Sequence, residues 1–376
     1  MRISSRSLLL FFGFRNSISR NPERNRIRYP FTTTSSSRSS STTTSTASLQ
    51  ATEKMSSSSN DFAKKAEQKW SRAANSYVRY FEPMTVVAGR FLLSLLKLRF
   101  QQQQEQQEEH GGLKVLEAGC GAGGLAKELL LDASSPSSSL SISELVLTDL
   151  SDGMLDRTRD ILKDIRTSDT TSTSGIPQIR LEQADFTAFD RQKFPDGYFD
   201  RYFSNLCLHY AENPDDVIKE ASRVLKACDG NGEHGGIAGF TVWGRRAESK
   251  VMTIVPDILE GFSKKEEPDD KQESGQKRSS FHLGEDDEGL RQRFLRDGMF
   301  SRCTVLHYPA VLESLDAKDY VEAILDGAPS TKKELEEKYS EEDRQTIRRM
   351  VHEKALEILN RGEPLVLDMA MVVAQK

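Results

Sequence analysis

A chain of 376 residues, 36% hydrophobic and 29% charged, can bury a full-size core, and none of its apolar runs approaches the ~20 residues needed to cross a bilayer. The formal net charge is −5, but residues 1–54 carry nine basic and two acidic side chains, so the remainder without that +7 stands near −12. A surface that acidic repels phosphate backbones, which argues against nucleic acid as a partner, and the four cysteines lack metal-ligand spacing, so no metal is expected.

The first 54 residues are rich in arginine and serine and poor in acids, with an apolar run from Leu8 to Phe14 and a Ser/Thr tract from Thr32 to Ser48. That composition cannot build a core and matches an organelle-targeting segment. The mitochondrion is the expected destination; a plastid, or the cytoplasm from a start at Met55, are the alternatives. Residues 55–376 are expected to form one domain.

The folded part is predicted to open with a helix whose apolar face is Phe62, Ala66, Trp70, Tyr77 and Phe81, ending at Pro83. A second helix, Thr85 to Phe100, completes a helical extension over 62–110. From Leu113 the pattern changes to short apolar strands alternating with helices. Strands are predicted at Leu113–Ala118, Leu145–Leu150, Gln178–Ala184, Tyr198–Ser204 and Gly236–Trp243, with helices after the first, second and fourth. Strands of this kind form a parallel sheet covered on both faces, whose ligand crevice lies at the strands' carboxyl ends. Residues 113–243 therefore read as a cofactor-binding core. Polar padding is predicted at Ser134–Ser143, Thr167–Gly175, Asp229–Gly235 and Lys264–Ser280. Residues 245–300 read as an insertion carrying the apolar stretch Met252, Ile254, Val255, Pro256 and Ile258. Helices at Glu285–Asp297, Ala317–Leu325 and Glu341–Asn360 and strands at Cys303–Tyr308 and Leu365–Val373 close the domain, with 301–376 as its last part.

The strongest signal is the run from Val115 to Gly124, in which a strand ends on Glu117 and a loop with Gly119, Gly121, Gly123 and Gly124 opens a helix. Glycines let a ligand lie against backbone amides. The spacing of Gly119, Gly121 and Gly124, with Asp149 closing the next strand, also satisfies a dinucleotide fingerprint. The glycines alone do not choose between the two cofactor classes.

An acidic residue followed by three alternate glycines, here Glu117, Gly119, Gly121 and Gly123, resembles the first motif of the class I S-adenosylmethionine-dependent methyltransferases. The likeness continues through Asp149, Ala184-Asp185-Phe186, the run from Phe194 to Asp200, Phe203 to Tyr210, and Arg223 to Lys226. It is good from Val115 to Trp243 and looser over the helical start, where Trp70, Tyr77 and Phe81 resemble small-molecule members related to quinone and biotin biosynthesis. The resemblance implies an open, doubly wound α/β fold with a seven-stranded mixed sheet, the last strand antiparallel, plus a helical N-terminal extension and helical insertions. It implies S-adenosylmethionine as cofactor. Glu117 and the glycines would hold its methionine part, Asp149 the ribose, and Met154, Asp185 and Phe186 the adenine, with Asn205 alongside.

Asn205 and His209 fall where the fourth strand meets the substrate side, so His209 is the candidate to orient or deprotonate the acceptor. Tyr77, Tyr80 and Phe81 are candidates for a lid, together with the 245–300 insertion. The expected reaction is direct in-line methyl transfer to a small-molecule acceptor, with no integral membrane association. The sequence does not address oligomeric state. A nicotinamide-dependent oxidoreductase using the same loop, and a non-catalytic cofactor-binding assembly factor, are the alternatives.

Overall fold

The computed structural model describes residues 46–96, 98, 112–133, 140–168, 177–228, 235–263, 279–312 and 316–376. Two compact units divide the chain, 1–50 and 51–376; of the first only 46–50 is described, as the opening of helix α1 (Thr46–Tyr80). That helix starts well before the predicted Phe62 and takes in the end of the Ser/Thr tract. The rest of the 1–54 segment, Gln101–His110 and most of the four polar connectors lie outside the described residues.

Within the second unit, α1 is followed by α2 (Glu82–Leu95), β1 (Leu113–Ala118), α3 (Gly124–Ala133), β2 (Ile142–Asp149), α4 (Asp152–Ser168) and β3 (Gln178–Gln183). Then come β4 (Arg201–Asn205), α5 (Pro214–Val224), β5 (Ile237–Trp243), α6 (Lys250–Ser263), α7 (Asp287–Leu295) and β6 (Arg302–Val311). The chain closes with α8 (Ala317–Val321), α9 (Pro329–Lys338), α10 (Glu341–Asn360) and β7 (Val366–Gln375). The seven strands form one sheet in the order β3-β2-β1-β4-β5-β7-β6. β1 to β5 pair in parallel, and β7 runs antiparallel to both β5 and β6. This is the predicted mixed sheet. Its order reverses between β1 and β4, so the carboxyl ends of those two strands flank the crevice.

Strand alternation sends successive side chains to opposite faces. Val115, Leu145 and Leu147 point into a cluster with Leu92, Leu96, Leu125, Leu129 and Leu155, from α2, α3 and α4. Leu116, Val146, Tyr202 and Phe240 point the other way, into a cluster with Val217, Ile218, Leu290 and Phe294 from α5 and α7. Both faces are thus covered, as the unbroken apolar strands require. A third cluster joins α6, α8 and α10 through Val251, Ile254, Val255, Tyr320, Ile347 and Val351.

Helix α1 is laid across the first turn of α4. Ser71 Oγ lies 2.8 Å from Ser151 Oγ and accepts from the Gly153 amide at 3.2 Å. Gly153 permits this closeness: a Cβ there would stand 2.9 Å from Ser71 Cα and 3.0 Å from its carbonyl oxygen. We therefore expect Gly153→Ala to lift α1 from the sheet. Amide exchange over 62–80 should accelerate while the amides of β1, β2 and β4 keep their protection, and unaltered exchange in α1 would show that the helix is held elsewhere.

Candidate active site

β1 delivers Glu117 to the crevice, 2% exposed, with Oε2 buried and without a hydrogen-bond partner. The loop that follows turns on three glycines in the left-handed region: Gly119 (φ 74°), Gly121 (φ 57°) and Gly123 (φ 89°). They differ in what surrounds them. A Cβ on Gly119 would stand 2.6 Å from Cys207 Sγ, and one on Gly123 would stand 3.0 Å from Thr158 Cγ2, so both glycines are needed for packing. At Gly121 an added Cβ would meet only Tyr77 Cε1, at an ordinary contact distance of 3.8 Å, so packing does not demand this glycine, whose positive φ does.

Asp149 ends β2 and accepts the Gly121 amide through Oδ2 and the Ser151 amide through Oδ1, each at 2.9 Å. Its carboxylate therefore shapes the glycine loop and still has a lone pair on each oxygen for ribose hydroxyls. Met154 is buried against Ala74 and Ala122, with Trp70, Tyr77 and Val78 around them. Asp185 follows β3 and takes both the amide (2.9 Å) and the hydroxyl (2.7 Å) of Thr187 on Oδ1. Phe186 leans, half-buried, on the α5 and α7 face of the core.

The residues after β4 are held more tightly than their sequence suggests. Asn205 donates from Nδ2 to the Thr85 carbonyl (3.1 Å) and accepts from Thr241 Oγ1 (2.6 Å). Its carboxamide thereby ties α2 to β5 and keeps one N–H and one lone pair for a ligand. Leu206 adopts φ 57°, unusual for a branched residue, and its amide donates to Thr241 Oγ1 at 2.8 Å. Tyr77 places its hydroxyl 2.9 Å from Thr85 Oγ1, which fixes the ring over Gly121. His209 lies in a 3₁₀ turn, Leu208–Tyr210, 5% exposed, with neither ring nitrogen hydrogen-bonded. Burial, assisted by His282 and Lys69, pushes its pKa down to about 3. The imidazole is neutral at physiological pH, which suits an orienting contact and makes it too weak a base to hold an acceptor's proton.

One residue escaped the sequence reading. Glu82, at the start of α2, reaches the first amide of α3: a Cβ on Gly124 would stand 2.8 Å from Glu82 Oε1, and the Gly124 amide holds the carboxyl's pKa down against burial, which raises it. The only signal in the sequence was an acid just before Pro83, which marks a helix start and says nothing about a neighbouring loop. Glu82, Glu117 and Asp149 together give the loop an acidic floor. Burial raises Glu117 well above the carboxylate range, and the charges of Asp149 and Glu82 raise it further. Burial also raises Asp149, against the pull of the Ser151 and Gly121 amides. A dinucleotide pyrophosphate would need the α3 N-terminus, which Glu82 already fills, and would face two more carboxylates. A ligand with an ammonium group and a sulfonium satisfies the same surroundings.

Residues 116–228 match a family model described as a methyltransferase domain. Among solved structures, the chain is similar to the Haemonchus contortus phosphoethanolamine N-methyltransferase 2 in complex with phosphomonomethylethanolamine and S-adenosylhomocysteine. The identity is 17%, over 76% of this chain and 52% of that one, with a TM-score of 0.38. The chain thus spans about half the length of that protein. It is also similar to the YcgJ protein of Bacillus subtilis (13% identity, 77% and 98% covered, TM-score 0.41). A third is an S-adenosylmethionine-dependent methyltransferase from Mesorhizobium loti (23%, 38% and 50%, 0.26). No curated protein matches the chain.

The buried carboxyl sets a pH dependence. A folded-state pKa raised above the unfolded value means the native state binds more protons, so its stability is full below the ordinary carboxylate range and is lost as pH rises through the raised value. The ligand-free protein should therefore lose stability as the pH rises above the ordinary carboxylate range. Glu117→Gln should flatten that slope in urea titrations, and an equal slope in both proteins would assign the dependence to another group.

Proposed function

We propose that this chain, a class I S-adenosylmethionine-dependent methyltransferase by its domain, moves the methyl group to a small-molecule acceptor by direct in-line displacement. The observation that carries the reading is the buried, unpartnered Oε2 of Glu117 beside the glycine loop. A carboxylate in that position is costly until a cation meets it. S-adenosylmethionine, when bound, supplies that cation and an activated methyl whose bond pair leaves with sulfur as the acceptor's lone pair attacks. Glu117 and the backbone of Gly119 and Gly121 hold the methionine end, and Asp149 accepts the ribose hydroxyls. Met154, Asp185 and Phe186 surround the adenine. Tyr77 covers the loop and, through Thr85, shares an anchor with Asn205. The chain's own work is alignment and exclusion of water, since bringing the nucleophile to about 3 Å supplies most of what the step needs.

Calorimetry with S-adenosylmethionine and with reduced nicotinamide dinucleotide separates the leading reading from the oxidoreductase. We expect binding of the sulfonium cofactor alone, and tight dinucleotide binding without it would overturn the assignment. Asp149→Ala should raise the cofactor dissociation constant about tenfold or more, since hydrogen bonds to a charged acceptor are worth roughly 1.5–3 kcal/mol each. A non-catalytic assembly factor would bind the cofactor and label nothing in a metabolite extract.

We infer further that residues 1–54 serve delivery, to the mitochondrion in the leading reading. Their nine basic and two acidic side chains against the acidic remainder support this. A chain beginning at Met55 would lack the first turns of α1 yet keep the segment from Phe62 to Tyr80 that meets α4 and the glycine loop. It should melt with the full chain and bind the cofactor equally. A melting point several degrees lower would show that the first turns of α1 support the site.

A further inference from the structure

Helices α8 and α10 leave between them a groove of about 330 Å³, lined by Lys318, Val321, Gln345, Arg348, Arg349 and His352. In a chain with 57 acidic against 52 basic side chains, basic residues gather there and no carboxylate lines the walls. Helical spacing brings them together. Gln345, Arg348, Arg349 and His352 recur three and four residues apart on α10, and Lys318 and Val321 do so on α8. Among the described residues Lys318, Arg349 and His352 form no ion pair or side-chain hydrogen bond. Arg348 holds Asp326 through Nη2 alone, 2.6 Å from Oδ2, which leaves its Nε and Nη1 hydrogens over. An adjoining pocket of about 210 Å³ shares Gln345 and Arg348 but is neutralised from within, because Glu341 pairs with Arg344 and Asp326 with Arg348. The groove between α8 and α10 has no such internal partner.

We propose that this groove binds a small molecule through a phosphate group, as a phosphate monoester presents it. The site is independent of the cofactor reading, since none of its residues belongs to the glycine loop or to a strand of the sheet. Like charges held together repel, and a bound anion removes that cost. Lys318 and Arg349 bring two positive charges that the fold leaves unpaired, which matches a dianion and exceeds what one carboxylate offers. A phosphate monoester carries about −1.5 to −2 charge and three strong acceptor oxygens. The donors suit it. Guanidinium forks meet phosphate oxygens two at a time, and the lysine adds a point charge. Gln345 spends one N–H on Glu341 (3.2 Å) and keeps the other, and an imidazole offers an N–H in either tautomer. Val321 and the aliphatic stems of Lys318, Arg348 and Arg349 supply apolar walls for the body that carries the phosphate. An anionic bilayer is read by clusters of roughly four to eight Lys/Arg. The groove has fewer and is concave, which favours a small molecule.

Calorimetric titration of the full-length chain with phenyl phosphate, inorganic phosphate and benzoate, at constant ionic strength, tests this. At about pH 8 a phosphate monoester, with its second pKa near about 6, is a dianion. We expect one saturable site for phenyl phosphate and weaker binding of inorganic phosphate, which lacks the apolar contacts. Benzoate, with a single charge, should bind about tenfold or more weakly than phenyl phosphate. Lys318→Gln combined with Arg349→Gln should abolish saturable binding, and Arg349→Lys, which keeps the charge and loses the fork, should retain part of it. Lys333→Gln combined with Lys338→Gln, on exposed side chains of α9, removes the same charge and should leave the phenyl phosphate constant unchanged. Equal affinity for phenyl phosphate and benzoate overturns the proposal. Binding that survives the double change in the groove, or that falls equally with the double change on α9, overturns it too, as does a lack of saturation. Should the groove variant fail to fold, Arg349→Lys and the three ligands on the native chain decide. Sedimentation with phosphatidylcholine vesicles that requires added phosphatidic acid, without binding of the soluble phosphates, would assign the groove to a membrane surface and overturn the small-molecule reading.

Discussion

Three carboxyl groups on the floor of one loop are the constraint on which the rest of the site depends. Glu82, Glu117 and Asp149 come from α2, β1 and β2, and each is fixed by a different device. Asp149 is set by two backbone amides, Glu82 by the first amide of α3, and Glu117 by burial in the strand that carries it. Among the described residues no lysine or arginine forms an ion pair with Glu117 or Asp149. A core that buries negative charge this way gives up stability in the ligand-free state. The loss is recovered when a cation arrives, so the glycine loop, the strand ends and the helix cap amount to a single charge-complementary receptor.

The cover over this receptor is drawn from distant parts of the chain. Trp70 and Tyr77 of α1 sit on the cofactor loop, while Tyr80, one turn on, packs against the end of the C-terminal helical insertion. A Cβ on Gly327 would stand 2.4 Å from Tyr80 Cδ2, and the Tyr80 hydroxyl donates to Glu322 at 3.4 Å. Glu322 opens a π-helical turn, Glu322–Asp326, a local irregularity of the kind that recurs at functional sites. Helix α7, in the separate 245–300 insertion, is anchored to the sheet. His307 on β6 places its ring nitrogens 2.6 Å from Asp368 on β7 and 2.6 Å from Asp287 on α7, and Asp368 also accepts the Arg245 amide at the exit of β5. Displacing α1 would therefore disturb the cofactor loop and the helical turn at Glu322–Asp326 together.

The sheet was legible because its signals are local. Apolar runs of strand length, glycines after Ala118 and a helical period after the first, second and fourth strands fix the parallel core, and Glu117 and Asp149 stand at strand ends. What escaped is non-local. α6 read only as an apolar stretch because Pro256 interrupts its pattern, and Ile254, expected to open onto the crevice, is instead buried with Val251 and Val255 against α8 and α10. Six of the ten residues of α9 are charged and Leu335 is its one large apolar side chain, so it offers little periodicity. Asn205 stood out at the end of the fourth strand, but nothing in the sequence reveals that its amide bonds Thr85 and Thr241. His209 was visible as a titratable group beside the substrate, whereas its burial and lack of a partner, which decide its protonation, are properties of the packed structure.

Charge is divided across the crevice in a way that bears on turnover. The cofactor half carries Glu82, Glu117 and Asp149; the half beyond Tyr77 presents rings, a neutral imidazole and, at its edge, Lys69. Methyl transfer moves positive charge away from sulfur, so the acidic floor interacts less strongly with the product thioether than with the sulfonium. The same carboxylates that attract the charged cofactor therefore hold its spent form less firmly. The asymmetry thus favours loading of the charged cofactor over retention of its product.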